Sequence, residues 1–242
     1  MNVIINGVCG RMGQAMVRLI EQRQEVQLAS GVDVRADGEP YLTDLRQAKP
    51  ADVIIDFSFH TAVSDLLQYA CQQFLPVVIC TTGHTEAELE QIRQAAKKIP
   101  VFHSGNMSLG IAALRAMAKK AAALFPDADI EIIETHHKHK QDAPSGTALM
   151  LAESIRQARQ GAELTFGRHG IQPREPGEIG IHAVRRGEIV GIHEVQISTG
   201  AQTLTLKHEA HSREVFAEGA LSAAEFLLHQ PAGLYDMDDL TR

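Results

Sequence analysis

The sequence predicts an α/β protein in which a doubly wound parallel sheet is followed by a smaller α+β part with a mixed sheet. Three observations carry that prediction. Across the first hundred residues, apolar runs near 3–6, 26–32, 53–57, 76–80 and 101–103 alternate with helical patterns, the order that parallel strands with helical crossovers require. After His103 the pattern changes: SGNMSLG at 104–110 is rich in small residues and runs into IAALRAMAKKAAALF, which marks a hinge before a long helix. Strand-like stretches at 179–184, 188–197 and 202–210 then lie close enough in sequence for an antiparallel or mixed sheet.

Each element has its local reason. The first strand ends in Gly7-Val-Cys-Gly10-Arg-Met-Gly13, and the following helix presents Met16, Leu19 and Ile20 to a core. Glycines there allow a tight turn and let backbone N–H groups approach a pyrophosphate at the positive end of the helix. Gly10 and Gly13 keep the last two positions of the GxGxxG fingerprint, while the first glycine is displaced by one. Twenty residues beyond Gly13, Asp33 ends the second strand, where a carboxylate would accept hydrogen bonds from a ribose diol. Strand, turn, helix, strand and acid in that order describe a Rossmann-like domain. Arg11 and Arg35 could each meet a 2′-phosphate, so NAD and NADP both fit. Phe57-Ser58 and Cys80-Thr-Thr-Gly83 follow the third and fourth strands, at the carboxyl ends where such sheets bind ligands. Thr85-Glu-Ala-Glu88 reads as a capping box opening a helix whose Leu89, Ile92 and Ala96 share a face. Later come a strand in DIEIIET, a helix from about Gly146, a Gly/Pro/Arg-rich loop over 161–177, and a last helix, REVFAEGALSAAEFLL, that could return to the first domain.

Composition narrows the function. The 242 residues are 44% hydrophobic and 22% charged, with a net charge of -7, so no global basic field exists to hold nucleic acid or an anionic membrane. Three cysteines, Cys9, Cys71 and Cys80, form no CxxC pair, which suits a reducing compartment. Neither a signal-like start nor an apolar run of about 18 residues is visible, and a cytoplasmic protein is expected.

Against that acidic background, the stretch ETHHKHKQDAPSGTAL at 134–149 concentrates three histidines and two lysines between His136 and Lys140. A metal site is disfavoured: the helical His-x-x-x-His spacing is missing, no cysteine is near, and two lysines would repel the ion. A solvated basic loop is the plain alternative. The adjacent Pro144-Ser-Gly-Thr147 argues for a third reading, because Ser145 can cap the helix TALMLAESIRQ and turn its first N–H groups toward an anion. The combination suits a small di- or tricarboxylate and a histidine that supplies a proton.

With these residues in view, the chain resembles the 4-hydroxy-tetrahydrodipicolinate (dihydrodipicolinate) reductase family. The family signature E-x-H-H-x-x-K-x-D-A-P-S-G-T-A is matched by Glu134, the run from His136 to Lys140 and the run from Asp142 to Ala148. The GxxGRMG loop, DFS, TTG, Asn106-Met-Ser108, RxGxxxGxH from Arg185 to His193 and the closing GLYDM also match. One departure is His60-Thr61, where many members carry a proline, so a different helix start is expected there.

The resemblance implies a dinucleotide-binding domain from residues 1–106 and 214–242, and a substrate-binding and tetramerisation domain from 107–213 that closes about the hinge. It implies reduction of a cyclic, conjugated imine dicarboxylate in the diaminopimelate branch of lysine biosynthesis, with NADH and/or NADPH as hydride donor and no metal. His136 is then the general acid and Lys140 the second cationic catalytic residue, with His137, Ser145, Gly146 and Thr147 at the substrate. Gly7, Gly10, Arg11, Met12, Gly13, Asp33, Phe57, Thr81, Thr82, Gly83, Ser104, Asn106 and Met107 lie along the cofactor. Two rival readings remain: another amino- or imino-dicarboxylate dehydrogenase such as an aspartate dehydrogenase, and a non-catalytic nucleotide-sensing module.

Overall fold

The computed structural model describes residues 1–159 and 161–241. They divide into two compact units, one from Met1–Leu109 with the chain from Arg213 onward, the other Gly110–Ser212. In chain order the first unit opens with β1 (Asn2–Asn6), α1 (Arg11–Glu21), β2 (Gln27–Val32), β3 (Tyr41–Leu42), β4 (Val53–Asp56), α2 (Val63–Gln73), β5 (Val77–Ile79), α3 (Glu86–Ala95) and β6 (Pro100–His103). Next come α4 (Leu109–Leu124), β7 (Asp129–His136), α5 (Gly146–Ala158), β8 (Glu163–Phe166), β9 (Glu178–Arg185), β10 (Gly191–Ser198) and β11 (Thr203–Ala210). The chain then returns to the first unit with α6 (Glu214–Leu227) and β12 (Gly233–Tyr235).

The first unit holds a seven-stranded sheet in the order β12-β6-β5-β4-β1-β2-β3, every pair parallel. Strand order reverses at β1, so β1 and β4 flank the crevice where doubly wound sheets take their ligands. Val3, Ile4 and Ile5 are wholly buried, as a parallel strand covered on both faces demands. One core packs Ile4, Ile54, Val77 and Ile79 against Leu66, Ala70 and Ile92 of α2 and α3. The Thr85 capping box is present, with both reciprocal bonds to Glu88. A 3₁₀ turn, His60–Ala62, precedes α2 where the family pattern breaks. Close packing of α6 depends on Gly219, whose Cβ would lie 1.7 Å from the Met107 carbonyl oxygen.

The second unit holds a mixed sheet in the order β11-β10-β7-β9-β8. β10 is antiparallel to β7 and β11, whereas β9 is parallel to β7 and β8. The consecutive strands β9 and β10 therefore do not pair, because β7 lies between them. Alternation explains the buried face: Ile130 and Ile132 of β7, Ile179 and Ile181 of β9, and Val195 and Ile197 of β10 meet Leu114, Ala118, Leu151 and Ile155 from α4 and α5.

Three short strands escaped the sequence reading. β3 has two residues, β12 carries a glycine, and β8 lies inside the stretch read as a loop. None presents an alternating apolar pattern long enough to register; their neighbours recruit them at sheet edges.

Candidate active site

Two sets of groups stand out, one in each unit. In the first, Gly7 turns the chain out of β1 with φ +82°, and a Cβ there would sit 2.6 Å from the carbonyl carbon of Phe57. Gly13 is equally constrained, its Cβ position lying 2.4 Å from the Gly7 oxygen. Glycine at both is thus required for the β1 turn, the Phe57-Ser58 backbone and α1 to pack together. Gly10 caps α1 without any side-chain hydrogen bond, and no acid occupies the first turn, so the helix opens with N–H groups and a positive dipole end. Arg11 is exposed and Met12 half-buried on that turn.

Asp33, 5% exposed just past β2, accepts the Cys9 N–H at 3.0 Å and a fork from Arg35, Nε at 3.1 Å and NH2 at 3.2 Å. Burial alone would raise this carboxyl, but the Arg35 guanidinium and the backbone N–H groups of Arg35 and Cys9 outweigh it and hold it below the usual range. The sequence suggested Asp33 for the ribose hydroxyls and Arg11 or Arg35 for a 2′-phosphate; here Asp33 and Arg35 form one pair. Beside them a pocket of about 550 Å³ opens, lined among others by Val32, Val34, Leu66 and Tyr69. A dinucleotide fits this set: a tight glycine turn, an uncapped helix start, a buried acid and an adjoining pocket.

At the ends of β4 and β5, buried Asp56 accepts Asn6 Nδ2 at 2.8 Å and Ser58 Oγ at 2.6 Å, with Thr81 Oγ1 at 3.4 Å. Thr82 and Gly83 are exposed on that loop. Ser104 Oγ donates to the Asn106 carbonyl at 2.8 Å, and Asn106 Oδ1 accepts the Ser108 N–H at 2.9 Å, which folds 104–108 onto itself. Met107, expected along the cofactor, has its side chain in the core at 3% exposure.

In the second unit, the apolar face of β7 carries Ile130 and Ile132 and then switches to Glu134 and His136, which share that face because side chains repeat every two residues. Register adds two more groups: His193 of β10 lies opposite Glu134, and Arg185 of β9 opposite His136. Glu134 is fully buried. It meets His136 Nδ1 at 2.5 Å, accepts both terminal nitrogens of Arg185 at 2.8 Å, and accepts the Ser145 N–H at 3.0 Å. Burial would raise its carboxyl, but bonds from His136, Arg185 and Ser145 bring it down to about 2. His193 stacks edge-on against His136 with centroids 5.1 Å apart, and burial together with the neighbouring His136 pushes it down to about 3.

Ser145 caps α5 as expected, its Oγ accepting the Ala148 N–H at 3.2 Å. It is only 2% exposed, and the same hydroxyl lies 3.2 Å from His193 Nε2. Its side chain therefore braces the cluster from the start of α5. Gly146, by contrast, is exposed with nothing within 4 Å of a Cβ position, and Thr147 is half-buried beside it. Lys140 Nζ pairs with Asp142 at 2.9 Å, while Lys138 and His139 reach the exposed Glu188. The basic run thus splits: His136 turns inward, Lys140 lies half-buried, and Lys138 points to solvent. Among the described residues no group of His, Cys, Asp and Glu is arranged to hold a metal ion.

Sequence reasoning quoted Glu134, Arg185 and His193 only as matched letters and gave them no role. The signal for Glu134 was available: an acid two residues before a histidine on a strand must face the same way.

Two family models meet these geometries. The one described as dihydrodipicolinate reductase, N-terminus, matches residues 1–107, and the one described as dihydrodipicolinate reductase, C-terminus, matches 110–241. The chain belongs to the dihydrodipicolinate reductase family. It is 46% identical to the 4-hydroxy-tetrahydrodipicolinate reductase of Caldanaerobacter subterraneus subsp. tengcongensis, over 99% of this chain and 98% of that one. Identity to the Clostridium novyi 4-hydroxy-tetrahydrodipicolinate reductase is 42%, over 99% and 98%. A dipicolinate-bound dihydrodipicolinate reductase from Paenisporosarcina sp. TG-14 superposes with a TM-score of 0.83 at 26% identity, covering 99% of both chains. The aspartate dehydrogenase of Thermotoga maritima, the rival reading, reaches a TM-score of 0.53 at 12% identity and shares the fold alone.

Proposed function

We propose that this reductase converts 4-hydroxy-tetrahydrodipicolinate, through dihydrodipicolinate, to tetrahydrodipicolinate. In this reading the first unit binds NADH or NADPH and the second binds the substrate. The observation that carries it is a buried histidine held on a carboxylate–guanidinium pair, with Lys140 and the Ser145-capped start of α5 on the loop that follows it, in a chain of this family. That the Paenisporosarcina protein binds dipicolinate, a planar ring dicarboxylate, supports the substrate class.

The substrate carries two carboxylates. Lys140, His137 and the Gly146-Thr147 segment at the start of α5 supply charge and N–H donors for them. At present Asp142 occupies Lys140, so a substrate carboxylate competes with that side chain. In the first unit, the Gly7, Gly10 and Gly13 turn admits the pyrophosphate, while Asp33 accepts the ribose hydroxyls and Arg11 or Arg35 can turn to a 2′-phosphate. Phe57, Thr81, Thr82, Gly83, Ser104 and Asn106 line the nicotinamide end. The dinucleotide, when bound, supplies a hydride. His136 then gives a proton to the enamine that hydride addition leaves on the substrate, and Lys140 offsets the negative charge. A homotetramer in the cytoplasm belongs to the same proposal, and sedimentation of the purified protein tests the assembly.

The deciding experiment offers enzymatically generated 4-hydroxy-tetrahydrodipicolinate with NADH and then NADPH and follows loss of the reduced cofactor's absorbance. Turnover is expected with both. His136→Gln should lower kcat by about 10²–10⁴-fold, Lys140→Ala comparably, and Lys138→Ala hardly at all. Absence of turnover by the unaltered chain, or equal damage from Lys138→Ala, refutes the reading.

A further inference from the structure

The general-acid reading leaves a question of geometry: which nitrogen of His136 works, and what fixes it. A free imidazole exchanges between two tautomers and rotates about its side-chain bonds, and both freedoms dilute the productive state. Glu134 removes them. Its carboxylate touches Nδ1 at 2.5 Å from a fully buried position two residues earlier on the same strand. The carboxylate cannot turn away, because the Arg185 guanidinium grips both its oxygens at 2.8 Å and the Ser145 N–H holds one of them at 3.0 Å. Arg185 is anchored in turn on the Asp142 carbonyl at 2.6 Å. Two further titratable groups flank His136, Arg185 opposite it on β9 and the His193 ring on β10, while Lys140 on the following loop is paired with Asp142. Among the described residues, Glu134 is the one carboxylate in contact with the ring.

We propose that Glu134 is the positioning residue of the proton donor. It holds His136 with Nδ1–H directed at its own oxygen and leaves Nε2 as the nitrogen that exchanges a proton with substrate; Arg185 acts through Glu134. In the transfer, the Nε2–H bond of the imidazolium breaks, its electron pair stays on nitrogen, and the proton forms the new C–H bond on the enamine carbon. Glu134 remains a carboxylate throughout, and water returns the proton to Nε2. The lack of any side chain at Gly191 fits this assignment: a Cβ there would stand 3.1 Å from His136 Nε2, and glycine keeps that nitrogen uncrowded.

The proposal rests on the general-acid reading, and one of its measurements does not depend on turnover. Nitrogen-15 correlation spectra of the full chain in alkaline buffer, with the His136 signals assigned by their loss in His136→Gln, report which ring nitrogen carries the proton. Nδ1–H is expected in the unaltered protein, and a mixed population in Glu134→Gln, whose amide can donate as well as accept. In assays, Glu134→Gln should lower kcat by about 10²-fold or more while the KM for substrate and the affinity for NADH stay within about threefold. Glu134→Asp, which keeps the charge one methylene short, and Arg185→Lys, which keeps charge without the fork, should fall in between. If Glu134→Gln fails to fold, Glu134→Asp and the spectrum of the unaltered protein still decide. A proton on Nε2 in the unaltered protein, or kcat within about twofold of normal in Glu134→Gln, overturns the assignment. Failure of turnover with Nδ1–H intact would sink the reaction and leave the positioning standing.

Discussion

A carboxyl ordinarily near 4.5 but held at about 2 by the fold makes stability depend on pH in a calculable way. Because the folded state depresses the Glu134 carboxyl, its contribution is fully present above the unfolded value. It is lost as pH falls from about 4.5 through about 2. At about 1.4 kcal/mol per pH unit, the gap is worth on the order of 3 kcal/mol at most. Glu134→Gln removes the titration and also leaves the Arg185 guanidinium without its partner, at a cost of about 3–5 kcal/mol near neutral pH. The chain has no tryptophan and only three tyrosines, Tyr41, Tyr69 and Tyr235, all in the first unit, so bulk fluorescence would report on the wrong half. Hydrogen exchange read by mass spectrometry over β7 and β9 reports on the right one. The unaltered protein should lose protection there more steeply than Glu134→Gln between about pH 5 and pH 3, with the two converging in acid. Parallel loss in both proteins across that range would refute the argument, since other carboxylates would then account for the whole slope.

Further expectations follow from single residues. Asp33→Ala should weaken NADH binding by about 10–100-fold and NADPH binding less, because it removes an acceptor for the ribose and frees Arg35 for a 2′-phosphate; unchanged affinity for both, measured by fluorescence titration of the reduced cofactors, contradicts the placement. Thr147→Val should raise the substrate KM with kcat nearly intact, and a loss confined to kcat argues against a carboxylate-binding role. Gly219→Ala should lower the stability of the first unit by about 1–3 kcal/mol in urea titrations followed by tyrosine fluorescence, since its Cβ meets backbone at Met107 that cannot swing aside; an unaltered midpoint would count against that packing. Gly191→Ala should reduce kcat while cofactor affinity holds, because the added methyl crowds His136 Nε2; full activity would mean that another part of the ring does the work.

What the sequence made legible follows from the range of the forces involved. The glycine turn and the capping box are each set within a few residues, and the parallel sheet shows itself as short apolar runs alternating with helical patterns, so each appears where local pattern predicts it. Ser145 was legible as a cap because capping is local, yet its link to His193 spans 48 residues and depends on the register of β10 against β7. The Glu134–Arg185 fork is 51 residues apart in sequence and required knowing that β9 lies parallel beside β7. The edge strands β3, β8 and β12 were hidden for the same reason, since two to four residues carry too little periodicity until a neighbouring strand is in place.

The cluster at the end of β7 is built to keep one imidazole in use and its neighbour quiet. His136 and His193 stack at 5.1 Å, a distance at which two positive rings repel strongly in a water-poor site. Burial and the adjacent His136 hold His193 down to about 3, and its nearest partner is the neutral Ser145 hydroxyl rather than an acid. Glu134 touches only His136 of the pair. Of the two rings, His136 has the carboxylate partner, while His193, disfavoured as a cation by burial, packs against it. Replacing His193 by glutamine would leave that carboxylate contact in place but remove the wall against which the ring is stacked. Loss of rate in such a variant would then be one of orientation, smaller than the loss in Glu134→Gln, where the contact itself is changed.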